Sequence, residues 1–116
     1  LLSHHSELPS DGEPIQDDLV IKSQWGPNFH GHENHDLVTF LGDDETPLGT
    51  VVEGVGNNHD DDTEGAVYKN AFCTNMHTVL DRNGELAKRM LLTALANKYP
   101  DADLSAQRAI KIDPTY

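Results

Sequence analysis

The chain is poor in basic side chains. Its 116 residues include eight Lys and Arg against 20 Asp and Glu, which gives a formal net charge of −12. Proteins that bind nucleic acid neutralise phosphates with clustered Lys and Arg. This balance therefore argues against a nucleic-acid partner and equally against an anionic membrane surface. A charge this acidic also fits proteins from organisms that live in high salt.

Cysteine and long apolar runs are scarce as well. Cys73 is the single cysteine, so no disulfide can form within the chain. No apolar run approaches the roughly 18 residues that span a bilayer, and no basic-then-apolar signal segment begins the chain, so we expect no membrane insertion. The mean hydropathy of −0.57 predicts a modest core in one domain, residues 1–116. The first residue, Leu1 rather than Met, suggests a fragment or a processed product.

Short apolar and β-branched runs predict several strands. These strands are expected at 17–23, 37–41, 48–55, 66–68 and 71–74. The third of them could pair with the second as a hairpin. The acidic segment 56–65, with glycine at both ends, is typical of a loop.

One helix is strongly indicated. Apolar residues recur at spacings of three and four along one predicted face: Leu86, Met90, Leu91, Ala94 and Leu95. Asn83 suits the N-cap position, and Pro100 would end the helix. A shorter second helix is expected within 104–112, with Asp103 or Ser105 as its cap.

A histidine stands between the last predicted strand and this helix. A strand that ends on a histidine just before a helix is a common way to place a base at the edge of a sheet, so His77 is a candidate base. A structural role is the commoner one for such a residue taken alone. Cys73 lies four residues earlier inside an apolar run, which favours a buried, unreactive thiol. Catalytic Cys–His pairs usually come from distant parts of a chain.

Two other clusters invite a metal-binding interpretation. His30 and His32 alternate, so that on a strand they would share a face and could chelate a metal. The acids at 60–62, together with Glu64, offer the oxygen ligands that calcium prefers but lack the EF-hand spacing. A histidine-rich polar loop and a solvated acidic loop are the favoured interpretations, and no metal ligand is assigned.

Three blocks of sequence resemble motifs of one family. Residues 31–35, GHENH, are similar to its GFENH motif. Residues 47–65 begin with PLG and end in GNNHDDDTEG, which is similar to its PLG…GxGNNGxDxTEG block. Residues 68–77, YKNAFCTNMH, resemble its YKNxxGTYLHG segment. By these motifs the chain is identified as a member of the glutamine amidotransferase subunits of lipid II isoglutaminyl synthase, in the cobyric-acid-synthase-like branch of class I glutamine amidotransferases.

The resemblance implies an α/β fold, namely the C-terminal part of a flavodoxin-like class I glutamine amidotransferase domain with three layers and a mixed sheet. It also implies a Cys–His site, in which a cysteine thiolate attacks the side-chain amide of glutamine and ammonia is released. His77 matches the catalytic histidine, whereas Glu33, Asn34 and His35 match a loop beside the bound glutamine. The block 57–64 is expected to be a turn that positions neighbouring strands.

A partner is implied as well. Ammonia would pass to a Mur-ligase-like subunit in a heterodimer, where ATP and magnesium serve the amidation of D-glutamate to D-isoglutamine in the stem peptide of lipid II. This subunit itself is expected to need no cofactor. The expected location is the cytoplasm.

The chain departs from the family pattern at several positions. No CGGYQ nucleophile motif occurs, although Leu1-Leu2 could be the tail of one. These 116 residues alone are therefore expected not to hydrolyse glutamine, and to be ordered only with a partner or with further chain. Other departures are local: Asp36 and Cys73 replace glycine, His32 replaces Phe, and Val79 replaces the Glu of a His-x-Glu motif. Thr78 alone replaces the two residues Gly-Pro, which makes the chain one residue shorter there. The open alternatives are a non-catalytic relative that binds the ligase partner and an acidic His/Asp-rich metal-binding protein.

Overall fold

The computed structural model describes residues 2–112. Leu1 and residues 113–116 lie outside this range. Two predictions therefore lie partly outside the described residues, namely Leu1-Leu2 as the tail of a CGGYQ motif and the domain bounds 1–116. The described strands, β1 to β9 in chain order, are His5–Glu7, Ile15–Ser23, Asn28–His35, Val38–Phe40, Gly49–Glu53, Thr63–Glu64, Ala66–Tyr68, Ala71–Cys73 and Met76–His77. The described helices, α1 to α3, are Val79–Arg82, Gly84–Lys98 and Ser105–Arg108.

Five of the strands form one sheet in the order β6-β5-β2-β3-β9, and β1-β4 and β7-β8 form two smaller sheets. The longest ribbon joins β2 to β3, from Ile15 opposite His35 to Lys22 opposite Asn28. Every strand pairing within residues 2–112 is antiparallel. The helices follow the last strand, whereas parallel neighbours need a crossover between them, usually a helix. This α/β arrangement therefore lacks, within the described range, the parallel strands of the expected mixed sheet.

The core lies between the five-stranded sheet and α2. Alternate residues of a strand share a face, which places Leu19 and Ile21 of β2, both 0% exposed, in one buried cluster. Phe29 and Met76 join it from β3 and β9, and Leu86 enters it from α2. Burial of an aliphatic side chain of this size stabilises a fold by about 1.5–3 kcal/mol. These few residues form the modest core that the hydropathy predicts.

The long helix is confirmed in position and corrected in detail. Asn83 occupies the N-cap position of α2, but its side chain makes no capping hydrogen bond. Its Oδ1 accepts the His30 N–H at 2.7 Å and its Nδ2 donates to the His30 carbonyl at 2.8 Å, so it ties the start of the helix to β3. Leu91, predicted on the buried face, is 65% exposed, because the helix meets the core through Leu86 and Met90.

Two strand predictions are also corrected. The histidine-rich segment is not a polar loop but the strand β3, because its alternate residues Phe29, Gly31 and Glu33 are buried. The strand predicted at 48–55 does not form a hairpin with the one before it. Instead β5 pairs with β2 and β6, and β4 pairs with β1.

The second predicted helix is shorter than expected. It is the four-residue α3, with Leu104 at its N-cap position. The predicted cap Asp103 does accept a hydrogen bond, from the Ser105 N–H to its Oδ1 at 3.0 Å. None of the helices described for residues 2–112 is long and apolar enough to cross a membrane.

Candidate active site

His77 ends the edge strand of the five-stranded sheet. In β9 it lies opposite His32 of β3, and Met76 lies opposite Glu33. Thr78 follows in the left-handed conformation, with φ of 58°, and α1 begins directly after it. A strand that ends on His77 just before a helix is observed, but the strand is β9 rather than the one predicted at 71–74, and the helix is the short α1 rather than the predicted long helix. The His77 side chain is exposed, whereas Met76 is buried, so the histidine is on the open face of the sheet.

The position of β9 depends on a glycine in the neighbouring strand β3. A Cβ atom at Gly31 would lie 2.6 Å from the His77 carbonyl oxygen and would overlap the Met76 side chain. Contacts this close are essentially never tolerated between real atoms, so only glycine fits here. Gly31 opens the 31–35 motif and therefore links that motif directly to the strand that carries the candidate base.

A buried carboxylate holds the segment that leads to His77. The side chain of Glu64 is 0% exposed. Its Oε2 accepts the Thr74 hydroxyl at 2.6 Å, and its Oε1 accepts the Asn75 side-chain amide at 2.7 Å and the Asn75 N–H at 3.2 Å. Burial raises the pKa of Glu64, the charge of Glu33 adds to that rise, and the hydrogen bonds from Thr74 and Asn75 oppose it.

Asn57, at the other end of the acidic loop, holds the same segment, and we call Asn57 and Glu64 together the clamp. Its Oδ1 accepts the Gly65 N–H at 2.9 Å and the Asn75 amide at 3.0 Å. Its Nδ2 donates to the Thr63 hydroxyl at 3.1 Å and to the Gly65 carbonyl at 3.0 Å. The block 57–64 is therefore a turn that positions a neighbouring strand, as expected, and the strand it positions is β9.

Glu33, which is buried, and His35, which is partly buried, are paired on the opposite face from His77. Glu33 Oε1 accepts the Val55 N–H at 2.6 Å, and its Oε2 accepts the Gly56 N–H at 2.9 Å. The same Oε2 lies 2.9 Å from His35 Nε2, and the two side chains are 0% and 15% exposed. His35 Nδ1 lies 2.8 Å from the Leu37 carbonyl. A carbonyl oxygen can only accept, so Nδ1 donates to it, and a carboxylate at Nε2 favours the imidazolium form, in which both ring nitrogens donate.

The electrostatics of this pair agree with its geometry. The hydrogen bond to Glu33 is the largest cause that raises the pKa of His35, and the hydrogen bond to Leu37 acts in the same direction. Burial of the ring opposes them. Glu33 is thus held by two backbone donors and one cation, which leaves its carboxylate engaged within the fold.

The structure divides the predicted substrate-binding residues between two faces. Asn34 is exposed and accepts a hydrogen bond from the Gln16 amide at 3.2 Å. It shares the face of His77, because it stands two residues from His32, whose ring stacks on that of His77. Glu33 and His35 are on the other face. Contact of these three residues with glutamine stays a prediction.

Cys73 is set apart from His77. It lies on β8, is half-buried rather than fully buried, and lines a cavity of about 230 Å³ whose described lining includes Asn57 and Asn75 but not His77. Burial raises the pKa of its thiol, and the charge of Glu45 adds to the rise. A raised pKa disfavours the thiolate, which is the opposite of what activates a nucleophile.

The two clusters considered as metal ligands are built in different ways. His30 and His32 do lie on one strand, and the acids of the loop surround Asn58, whose Oδ1 accepts the N–H groups of Asp60 and Asp61 at 2.8 Å each. Within residues 2–112, no three His, Cys, Asp or Glu side chains are grouped so that they could hold a metal ion.

Comparison with known proteins decides the family. The model of the CobB/CobQ-like glutamine amidotransferase domain matches residues 10–85. The chain belongs to this family. It is similar to "Lipid II isoglutaminyl synthase (glutamine-hydrolyzing) subunit GatD" of Streptococcus pneumoniae (strain ATCC BAA-255 / R6), with 39% identity over 100 residues, which are 85% of this chain and 38% of that protein. It is also 38% identical over 82 residues to the subunit of the same name from Staphylococcus aureus (strain N315), which covers 70% of this chain and 33% of that protein.

These matches confirm the resemblance that the motifs carry. The chain spans between 33% and 38% of the length of the two relatives. The family match runs from before β2 to the start of α2, so it includes the Asn57–Glu64 clamp and His77. The sequence reasoning missed Gly31, Thr74 and Asn75 as supports of His77. The sequence indicated a role for these three residues only in that they lie inside the motifs that resemble those of the family.

Proposed function

We propose that this chain belongs to a glutaminase subunit that releases ammonia from the side-chain amide of glutamine, with His77 as its base. One observation carries the proposal: a buried clamp, Glu64 and Asn57, fixes the backbone just before a histidine that is itself exposed on the edge strand. A fold that immobilises the approach to one exposed histidine preorganises that side chain for chemistry. Membership of a glutamine amidotransferase family supplies the substrate.

The chemistry assigned to His77 is proton transfer. It accepts the proton of a cysteine thiol as the sulfur attacks the amide carbon, and it returns that proton to the departing nitrogen. The thioester that forms is then hydrolysed by water. The nucleophile is a cysteine other than Cys73, whose thiol is held protonated on a different sheet.

The relatives suggest where the ammonia goes. Both are named as a subunit of lipid II isoglutaminyl synthase. By analogy, we propose a heterodimer with a Mur-ligase-like subunit that holds ATP and magnesium and converts D-glutamate of the lipid II stem peptide to D-isoglutamine. In this proposal our chain needs no cofactor, acts in the cytoplasm and forms the C-terminal part of a three-layer, flavodoxin-like domain.

The test uses the protein expressed from its whole gene together with the ligase subunit. Ammonia release from glutamine is measured for the wild type, for His77→Ala and for the matched control His59→Ala, which alters an exposed loop histidine. General acid–base groups contribute about 10²- to 10⁴-fold, so we expect His77→Ala to lose at least about 100-fold while still copurifying with the ligase. The control should keep its activity.

Two outcomes would count against the proposal. If His77→Ala released ammonia at the rate of the control, the base would be another residue. If the wild type bound the ligase but released no ammonia, the chain would be a non-catalytic partner-binding relative.

A further inference from the structure

Two histidine rings stack on the exposed face of the sheet. His32 of β3 and His77 of β9 are register partners, and their ring centroids lie 5.0 Å apart with an interplanar angle of 9°. Facing residues of an antiparallel pair have Cβ atoms about 4.5–5.5 Å apart, so the contact follows from the register. His32 is therefore the ring against which the candidate base lies.

An acidic residue continues this row. Asp18 of β2 is the register partner of His32. Because alternate residues share a face, Asp18, His32 and His77 form a row across three neighbouring strands. The other titratable side chains that β2 and β3 carry on this face, or that the adjacent helix α1 brings, are Lys22, His30, Asp81 and Arg82.

The stack limits how the base can turn. A ring that lies face to face on another ring loses that contact when it rotates. The contact with His32 therefore favours one orientation of the His77 ring, and a base must be held in the orientation in which it reaches the proton that it accepts.

We propose that His32 is a positioning residue for His77. Its ring, stacked on that of His77, fixes the plane of the base. The inference rests on the proposed function for the assignment of His77 as the base. The stack itself is independent of that assignment.

The direct test compares ammonia release by variants of the protein expressed from its whole gene. His32→Phe keeps a flat ring in the stack, so we expect its kcat to stay within about twofold of the wild type. His32→Ala removes the ring, and we expect kcat to fall about tenfold with KM unchanged. His59→Ala is the matched control and should keep both constants. Equal kcat in His32→Phe and His32→Ala overturns the inference.

NMR supplies a second readout that does not depend on activity. The ring-proton signals of His77, assigned by their loss in His77→Ala, should shift in His32→Ala, because the ring current of the stacked neighbour is lost. Unchanged His77 ring signals in His32→Ala would contradict the stack. A wild type that released no ammonia would defeat the proposed function, while these signals would still decide the stack.

Discussion

The carboxylate of Glu64 lies 2.7 Å from the side-chain amide nitrogen of Asn75, two residues before His77. This contact joins the acidic loop to the edge strand across 11 positions of sequence. The loop therefore stabilises β9, because a short edge strand with one neighbouring strand has few hydrogen bonds that hold it in place.

Removal of the Glu64 side chain should destabilise the protein. Glu64→Ala removes the acceptor of the Thr74 hydroxyl and of the Asn75 N–H, while the Asn75 side-chain amide keeps its bond to Asn57. A buried donor left without its acceptor costs about 1–3 kcal/mol. We expect the free energy of unfolding to fall by about 2–4 kcal/mol, measured by urea denaturation. Glutaminase activity should fall as well, because His77 loses its support.

The control for this change is Glu64→Gln. The amide oxygen of the Gln side chain still accepts from Asn75. The substitution also removes the carboxylate charge, whose burial is unfavourable and raises the pKa of Glu64. We expect its stability to stay within about 1 kcal/mol of the wild type. A Glu64→Ala variant as stable as Glu64→Gln would contradict the clamp.

The pairing of Glu33 with His35 predicts a loss of stability in alkali. The pKa of His35 is raised above its ordinary value of 6.5 in the fold. Its stabilisation is therefore fully present below pH 6.5 and is lost as the pH rises through the raised value. Urea midpoints measured between about pH 5.5 and 9 should decline across this window. In His35→Gln the decline should flatten, and an equal decline in both proteins would assign the effect to other groups.

Local patterns were enough to predict the elements around His77. The 3.6-residue periodicity after Asn83 predicts α2, and the short apolar runs at 66–68 and 71–74 predict the strands β7 and β8. Each of these predictions depends only on residues that are close to one another in the sequence.

The supports of the site could not be predicted in the same way. The Asn83 side chain bonds to the backbone of His30, 53 residues away, where local preference predicts a helix cap. Glu33 accepts the N–H groups of Val55 and Gly56, which come from a loop 22 and 23 residues later, and no local pattern around Glu33 indicates these bonds. Long-range pairing decides both cases, and register decides which face each residue of β3 occupies.

Substitution of Gly31 should disturb the edge strand. A Cβ atom there meets the His77 carbonyl oxygen at 2.6 Å, so Gly31→Ala must push β9 away from β3. We expect a loss of about 1–3 kcal/mol of stability and a larger proportional loss of ammonia release. Gly12→Ala is the comparison, since it places Cβ in open space at a φ of +67°. It should cost about 1–2 kcal/mol through backbone strain and leave activity intact.

Replacement of the single cysteine should spare the reaction. Burial, and after it the charge of Glu45, raises the pKa of the Cys73 thiol, so the thiolate needed for attack is scarce near neutral pH. In the protein expressed from its whole gene, Cys73→Ser should release ammonia within about twofold of the wild-type rate. Iodoacetamide should also alkylate Cys73 more slowly than it alkylates free cysteine, because alkylation too requires the thiolate. If Cys73→Ser abolished ammonia release without unfolding the protein, Cys73 would itself be the nucleophile.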